Sequence, residues 1–275
     1  MNGLADPTLR GPAPYVALGS SFAAGIGLGP RAPGSPRACR RTINSYPQHL
    51  ARLCGLALVD RTCSGATTTH VLNGGKDRQG PQVDAITPET ELVTLTAGGN
   101  DVQYVGDLIM LSLRARSRVA RALMRPFWNG PRPVAERDFA ALHRSFCTIV
   151  DSARRRAPRA RIVVVSYPQI VPSVGTCPAL GLGEEEAALM RAVGQALEAV
   201  TREAARASGA LLVDMGPSSA AHAVGSAQPW VSGATRLRDA PFHPTREGTL
   251  ATALQVAATL GLAVRRESEP APPRP

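Results

Sequence analysis

Aromatic residues make up only 4% of this chain of 275 residues, which argues against a surface on which nucleic-acid bases stack. Lys76 is the only lysine of the chain, so arginine carries almost all of the basic charge. The five cysteines contain no C-x-x-C pair, so we expect neither a zinc site nor a dense disulfide scaffold. No run approaches the roughly 18 consecutive apolar residues of a membrane-spanning helix, so we predict no transmembrane segment.

The net charge of +10 comes from 31 basic residues against 21 acidic ones. A basic surface can attract nucleic acid, anionic lipid or an acidic substrate. Arginines cluster at 114–125 and 154–161, but neither cluster alternates with aromatic residues as a nucleic-acid-binding surface would. We therefore expect no nucleic-acid partner, and we interpret the preference for arginine as the product of a GC-rich coding sequence.

Apolar residues reach 44%, which is typical of a globular domain. Residues 1–14 and 267–275 are rich in proline, and we expect both ends to be disordered around one domain at 15–266. The first residues lack the charged and apolar regions of a signal peptide. The expected location is therefore cytoplasmic, or secreted if a signal peptide has been removed.

Short apolar runs alternate with helical patterns along the chain. The runs are continuous, which predicts strands that are buried on both faces. They lie at residues 15–18, 56–60, 92–97, 162–167 and 210–214. Helices are predicted at residues 45–53, 105–124, 134–156, 184–208 and 245–262, the last with Thr245 as its N-cap. This alternation predicts an α/β fold, a flavodoxin-like three-layer α/β/α sandwich around a five-stranded parallel sheet.

Polar and small residues follow three of the predicted strands, where a parallel sheet places its functional loops. Ser20 and Ser21 follow the first strand, Cys-Ser-Gly-Ala-Thr follows the second at 63–67, and Gly-Gly-Asn-Asp follows the third at 98–101. His243 precedes the last predicted helix. A hydroxyl, small loops with backbone N–H groups, an amide and an imidazole are the components of acyl transfer.

Four segments in this order resemble the sequence blocks of the SGNH (GDSL-type) hydrolases. The segments are YVALGSSFAAGIGLGP, DRTCSGATT, VTLTAGGNDV and PFHPTREG, and they span residues 15–248. The residues of these segments resemble most the actinobacterial esterase and lipase branch of the family. The resemblance implies the SGNH hydrolase fold and a serine hydrolase that cleaves carboxylic esters of small-molecule or lipid type. It implies no cofactor, and we expect a monomer.

The resemblance also implies a role for each site residue. Ser21 would be the nucleophile that forms an acyl-serine intermediate, and His243 would be its base. The oxyanion hole would consist of the backbone N–H groups of Ser21 and Gly65 and the side chain of Asn100. From its place directly after Asn100, and not from the resemblance, we expect Asp101 to cap the helix that follows it.

Two positions depart from the family pattern. Ser20 replaces the aspartate that usually precedes the nucleophile, so it can hydrogen-bond there but carries no charge. The usual acid lies three residues before the histidine, where this chain has Ala240, and the loop's only acid is Asp239. Either Asp239 or the Ala240 backbone carbonyl would orient His243, and we favour the carbonyl.

Three questions remain open at this point. The same residues would serve an acyltransferase that passes the acyl group to an alcohol, or a non-catalytic binding module that kept the fold. The apolar side chains of residues 106–134 either wall an acyl pocket or belong to the core; they are Leu108, Ile109, Met110, Leu111, Leu113, Met124, Phe127 and Trp128. Cys39 and Cys63 form a disulfide, as the resemblance implies, or are free thiols of a reducing cytosol.

Overall fold

The sheet has five parallel strands in the order β2-β1-β3-β4-β5, in a computed structural model that describes residues 14–235 and 240–265. The strands are β1 (Pro14–Gly19), β2 (Ala57–Asp60), β3 (Leu92–Thr96), β4 (Arg161–Val165) and β5 (Leu211–Val213). This is the flavodoxin-like strand order. The predicted α/β/α sandwich with a five-stranded parallel sheet is therefore confirmed.

The α-helices of the described residues lie mostly where the apolar periodicity predicts them. They are α1 (Ser21–Ala24), α2 (Tyr46–Cys54), α3 (Thr68–Asn73), α4 (Tyr104–Arg116), α5 (Arg118–Met124), α6 (Phe139–Arg156), α7 (Glu184–Ser208), α8 (Met215–Ser219) and α9 (Arg246–Leu260). The predicted helix 184–208 has the observed bounds of α7, and Thr245 is the N-cap of α9, as expected.

The helix predicted at 105–124 is instead two helices. The chain breaks at Ser117, which has extended backbone angles, and its side chain accepts a hydrogen bond from the Ala120 N–H as the N-cap of α5. The helix predicted from residue 134 begins only at Phe139, after a short 3-10 turn at Val134–Glu136. Asp138 caps it by accepting from the Ala141 N–H.

Burial on both faces is confirmed for the central strands and wrong for β2 and β5. Residues 15–19, 92–96 and 162–165 are buried, whereas β2 alternates between exposed and half-buried positions and only Val213 of β5 is buried. The reason is that β2 and β5 are the two edge strands of the sheet, where part of the strand surface faces solvent.

Two hydrophobic cores lie on opposite faces of the sheet, because successive strand side chains point to opposite sides. Val16, Leu18 and Leu95 pack beneath α3, α4, α6 and α7. Tyr15, Ala17 and Leu92 pack beneath α2 and α9. The two layers leave the carboxyl ends of the strands free to carry loops.

Both expected disordered ends fall almost wholly outside the described residues. Pro14 is the exception, since it is the first residue of β1 and pairs in register with Ala57. Within the part of the chain that is described, no helix combines the length and the apolar character needed to cross a membrane.

Candidate active site

The turn between β1 and α1 presents Ser20 and Ser21. Gly19 has φ of 141°, and a Cβ atom there would lie 2.2 Å from the Thr96 carbonyl oxygen, so only glycine fits. The Ser20 N–H donates to the same Thr96 oxygen at 2.9 Å. The chain therefore turns sharply out of the sheet and starts α1 at Ser21.

The side chain of Gln82 stabilises this turn through hydrogen bonds to the backbone of Gly19. Its Oε1 accepts from the Gly19 N–H at 2.7 Å, and its Nε2 donates to the Gly19 carbonyl at 3.1 Å. Gln82 is buried, so its side chain satisfies the Gly19 N–H away from water and shares the Gly19 carbonyl with the Cys63 N–H. Sequence reasoning missed Gln82, because a single glutamine 63 residues away carries no local signal.

Ser21 and His243 are in direct contact, 222 residues apart in the chain. His243 Nε2 lies 2.8 Å from Ser21 Oγ, and Nδ1 lies 2.9 Å from the backbone oxygen of Pro241. A carbonyl can only accept, so Nδ1 carries the hydrogen and Nε2 is free to accept the Ser21 proton. This is the tautomer that a general base needs.

The carbonyl that orients His243 belongs to Pro241, and the expectation of Ala240 is wrong. The Ala240 carbonyl accepts instead from Ser232 Oγ at 3.0 Å. Ala240 and Phe242 both have left-handed backbone, with φ of 52° and 58°, and this conformation on either side of Pro241 turns its carbonyl towards the ring. Asp239, the alternative acid, lies outside the described residues.

Burial lowers the pKa of His243 from 6.5 to about 4. The hydrogen bond to the Pro241 carbonyl acts against this shift, and the positive charge of Arg40 acts with it. The imidazole is therefore neutral near pH 7 and can take a proton from Ser21.

The loop of the predicted oxyanion hole is fixed by covalent and hydrogen bonds. Cys39 and Cys63 form the disulfide that the family resemblance implies, with their Cα atoms 4.0 Å apart. The Ser64 N–H donates to the Cys39 carbonyl at 3.0 Å. Gly65 follows with φ of 76°, and no acceptor within residues 14–235 and 240–265 pairs with its N–H. That N–H group is available to a ligand.

Asn100 reaches the same loop from the end of β3. Its Nδ2 donates to the Ala66 carbonyl at 2.8 Å, which leaves the second hydrogen of the amide for another acceptor. Asp101 does not cap the helix that follows it. Its carboxylate accepts from the N–H and the hydroxyl of Thr68, the first residue of α3, and so ties the start of that helix to the Asn100 loop.

Ser20 replaces an aspartate without leaving its position unsatisfied. Its side chain is buried and makes no bond to the N-terminus of α1, but its Oγ lies 3.0 Å from the hydroxyl of Tyr167. Burial raises the pKa of Tyr167 to about 12, so the phenol stays neutral. The Phe22 ring lies 4.2 Å from that of Tyr167 and 5.2 Å from that of His243. Tyr167 was missed because the apolar run at 162–167 predicts it as a strand residue, whereas β4 ends at Val165.

The apolar residues of segment 106–134 divide between two environments. Leu108 and Leu111 are core residues on α4, and Trp128 packs partly against that core. Phe127 is 88% exposed and does not pack against that core. Among the described residues, no group of three His, Cys, Asp or Glu side chains could hold a metal ion.

The family model of the GDSL-like lipases and acylhydrolases matches residues 17–251 of the chain. The chain belongs to this family. This GDSL-type hydrolase is 31% identical to a lipase of Streptomyces rimosus over 85% of this chain and 81% of that protein. It is 30% identical to lipase 2 of Streptomyces coelicolor over 94% of this chain and 88% of that protein.

Solved structures agree with this membership. The extracellular lipase of Streptomyces rimosus matches with a TM-score of 0.71 at 28% identity, over 91% of this chain and 99% of that one. Phospholipase A1 of Streptomyces albidoflavus matches with a TM-score of 0.70 at 28% identity, over 92% and 99%. The GDSL-type hydrolase is thus a carboxylic ester hydrolase, as its motifs predict.

Proposed function

We propose that this GDSL-type hydrolase cleaves carboxylic esters of lipid type through an acyl-serine intermediate, with Ser21 as nucleophile and His243 as base. The contact of 2.8 Å between Ser21 Oγ and His243 Nε2 carries this proposal. The similarity to proteins named lipase and phospholipase A1 supports the choice of a lipid-type acyl ester.

Acylation begins when Ser21 Oγ attacks the ester carbonyl carbon and His243 Nε2 takes its proton. The oxyanion that forms accepts hydrogen bonds from the N–H groups of Ser21 and Gly65 and from the Asn100 side chain. His243 then gives its proton to the leaving alcohol oxygen as the bond to that oxygen breaks.

Deacylation repeats these steps with water. His243 takes a proton from water, the resulting hydroxyl attacks the acyl carbon, and the proton returns to Ser21 as the carboxylic acid leaves. The imidazolium is held by the Pro241 carbonyl, which is neutral and stabilises it less than a carboxylate would.

We also propose that the hydrolase works in an oxidising compartment. The disulfide between Cys39 and Cys63 supports this location, because such bonds persist in secreted and periplasmic proteins and are rare in a reducing cytosol.

The mechanism is tested by the variants Ser21→Ala and His243→Ala, assayed on p-nitrophenyl esters of increasing acyl length. Each should lower kcat by at least about 10⁴-fold, and the double variant should lose little more, because the two residues act as a unit. Ser152→Ala and His143→Ala on α6 serve as matched controls. A rate near that of the unsubstituted enzyme in either site variant would end the proposal, and activity confined to acetyl esters would end its lipid part.

A further inference from the structure

An apolar stripe runs along α5 and the turn after it. Val119, Leu123 and Phe127 are 69%, 68% and 88% exposed, respectively. They are four residues apart, a spacing that places side chains on one side of a helix. The turn after α5 extends the helical winding of the backbone, because the Phe127 N–H donates a hydrogen bond to the Met124 carbonyl at 2.9 Å. Single exposed apolar residues are ordinary, but an aligned set on one short helix is not.

Arginines surround this stripe. Residues 114–128 contain five arginines and no acidic residue. Arg118, Arg121 and Arg125 are exposed, whereas Arg114 is paired with Glu186 at 2.8 Å and lies 5.0 Å above the Trp128 ring. An open cleft of about 580 Å³ is lined by Arg114, Arg121, Arg125 and Trp128, among others. We call residues 114–128 the arginine-apolar surface.

The arginine-apolar surface contacts the active-site edge of the molecule near its first residues, and the chain that follows it does so again at Arg137. At one end, Arg116 donates to the carbonyl of Ala234, and the nearby Ser232 N–H donates to the His243 carbonyl at 2.9 Å. Beyond the other end, Arg137 donates to the Val102 carbonyl next to the Asn100 loop and forms a buried ion pair with Asp107 at 2.7 Å.

We propose that the arginine-apolar surface docks this hydrolase on an anionic lipid bilayer. An interfacial segment places its apolar side chains at the boundary of the acyl chains while its cationic side chains meet the lipid phosphates. The stripe and its arginines have this arrangement. A nucleic acid would use the arginines but would leave the apolar stripe in water, so we favour lipid. Docking would bring lipid esters to the active site, and this purpose rests on the proposed function. The docking itself does not depend on that function.

Docking is tested by vesicle flotation of the full chain on diether lipids, which contain no ester to cleave. We expect binding to phosphatidylglycerol-containing vesicles and much weaker binding to pure phosphatidylcholine. Phe127→Ala should weaken binding about tenfold, since a large apolar side chain then stays out of the lipid. Arg118→Gln, Arg121→Gln and Arg125→Gln should each weaken it about fivefold.

Matched controls come from elsewhere on the molecule. Leu254→Ala alters a side chain of α9 that is 42% exposed on the opposite side of the sheet, and Arg155→Gln alters an exposed arginine at the end of α6. Both should leave vesicle binding unchanged. Every variant should hydrolyse p-nitrophenyl acetate at the rate of the unsubstituted enzyme, because none of these side chains touches Ser21 or His243.

The possible results separate docking from catalysis. Absence of vesicle binding, equal binding to both lipids, or binding that the Phe127 and arginine variants leave unchanged would overturn the docking proposal. If the arginine variants lost binding to duplex DNA but kept binding to vesicles, the surface would be a nucleic-acid-binding surface and the docking proposal would be overturned. Normal vesicle binding by a chain that hydrolyses no soluble ester would leave docking standing and reject the proposed function.

Discussion

The hydrolase should remain active at pH values where an ordinary histidine is charged. His243 is only 6% exposed, and burial lowers its pKa from 6.5 to about 4. With that pKa, about 90% of the rings are neutral at pH 5, whereas about 3% would be neutral with an ordinary pKa. Activity at pH 5 should therefore exceed that of an enzyme with an ordinary histidine by roughly 30-fold.

The assay is kcat/KM for a soluble p-nitrophenyl ester between pH 3.5 and 8, because this quantity reports the free enzyme. The acid side of the profile should have its midpoint near 4. Arg40→Gln should move that midpoint upwards, since removing a nearby cation favours the protonated ring. A midpoint between 6 and 7 in the unsubstituted enzyme would refute the reasoning.

The same shift couples folding to pH. The unfolded chain binds the proton with a pKa of 6.5 and the folded chain with a pKa of about 4, so the unfolded state holds more protons between these values. Stability is complete above pH 6.5 and falls as the pH drops towards 4. The loss between pH 7 and pH 5 is about 2 kcal/mol. Urea unfolding should show this extra loss relative to His243→Asn, and equal losses in both proteins would contradict it.

Asn100→Ala should lower kcat by about 10²–10³-fold with little change in KM, because it removes the oxyanion donor that we propose; an unchanged kcat would exclude that role. Asp239→Asn should change kcat by less than about tenfold, since a backbone carbonyl already holds the histidine, whereas a loss near 10⁴-fold would assign the role to the carboxylate. Gln82→Leu should lower the free energy of unfolding by about 2 kcal/mol in urea, because the buried Gly19 N–H loses its partner, whereas the Gly19 carbonyl keeps the Cys63 N–H; unaltered stability would show that the contact is replaceable. Reduction of the disulfide between Cys39 and Cys63 should cost roughly 3 kcal/mol, and an unchanged Tm in reductant would argue against it.

The sequence predicted those features that depend on local pattern. The spacing of apolar residues gave the bounds of α7, and the order of the polar loops brought Ser21 and His243 into one site. Continuous apolar runs predicted strands but not their places in the sheet, so the exposure of the edge strands β2 and β5 was not foreseen. Burial depends on neighbours that are distant in sequence.

Contacts of the site that depend on backbone conformation or on long-range packing were not predictable. The choice of Pro241 over Ala240 follows from left-handed backbone at two residues that are not glycine. Gln82 and Tyr167 act through single contacts across 63 and 147 residues, and neither belongs to a recognisable motif. The three-dimensional fold alone brings these groups together.

The most direct test of the account is covalent labelling with a fluorophosphonate, followed by peptide mapping with mass spectrometry. The reagent forms a stable adduct with a serine whose proton is taken by a neighbouring base. We predict one adduct, on Ser21, that is absent from Ser21→Ala and from urea-unfolded protein and that forms far more slowly in His243→Ala. An enzyme that hydrolyses esters while Ser21 stays unlabelled, or that carries its adduct on another residue, would contradict the central claim.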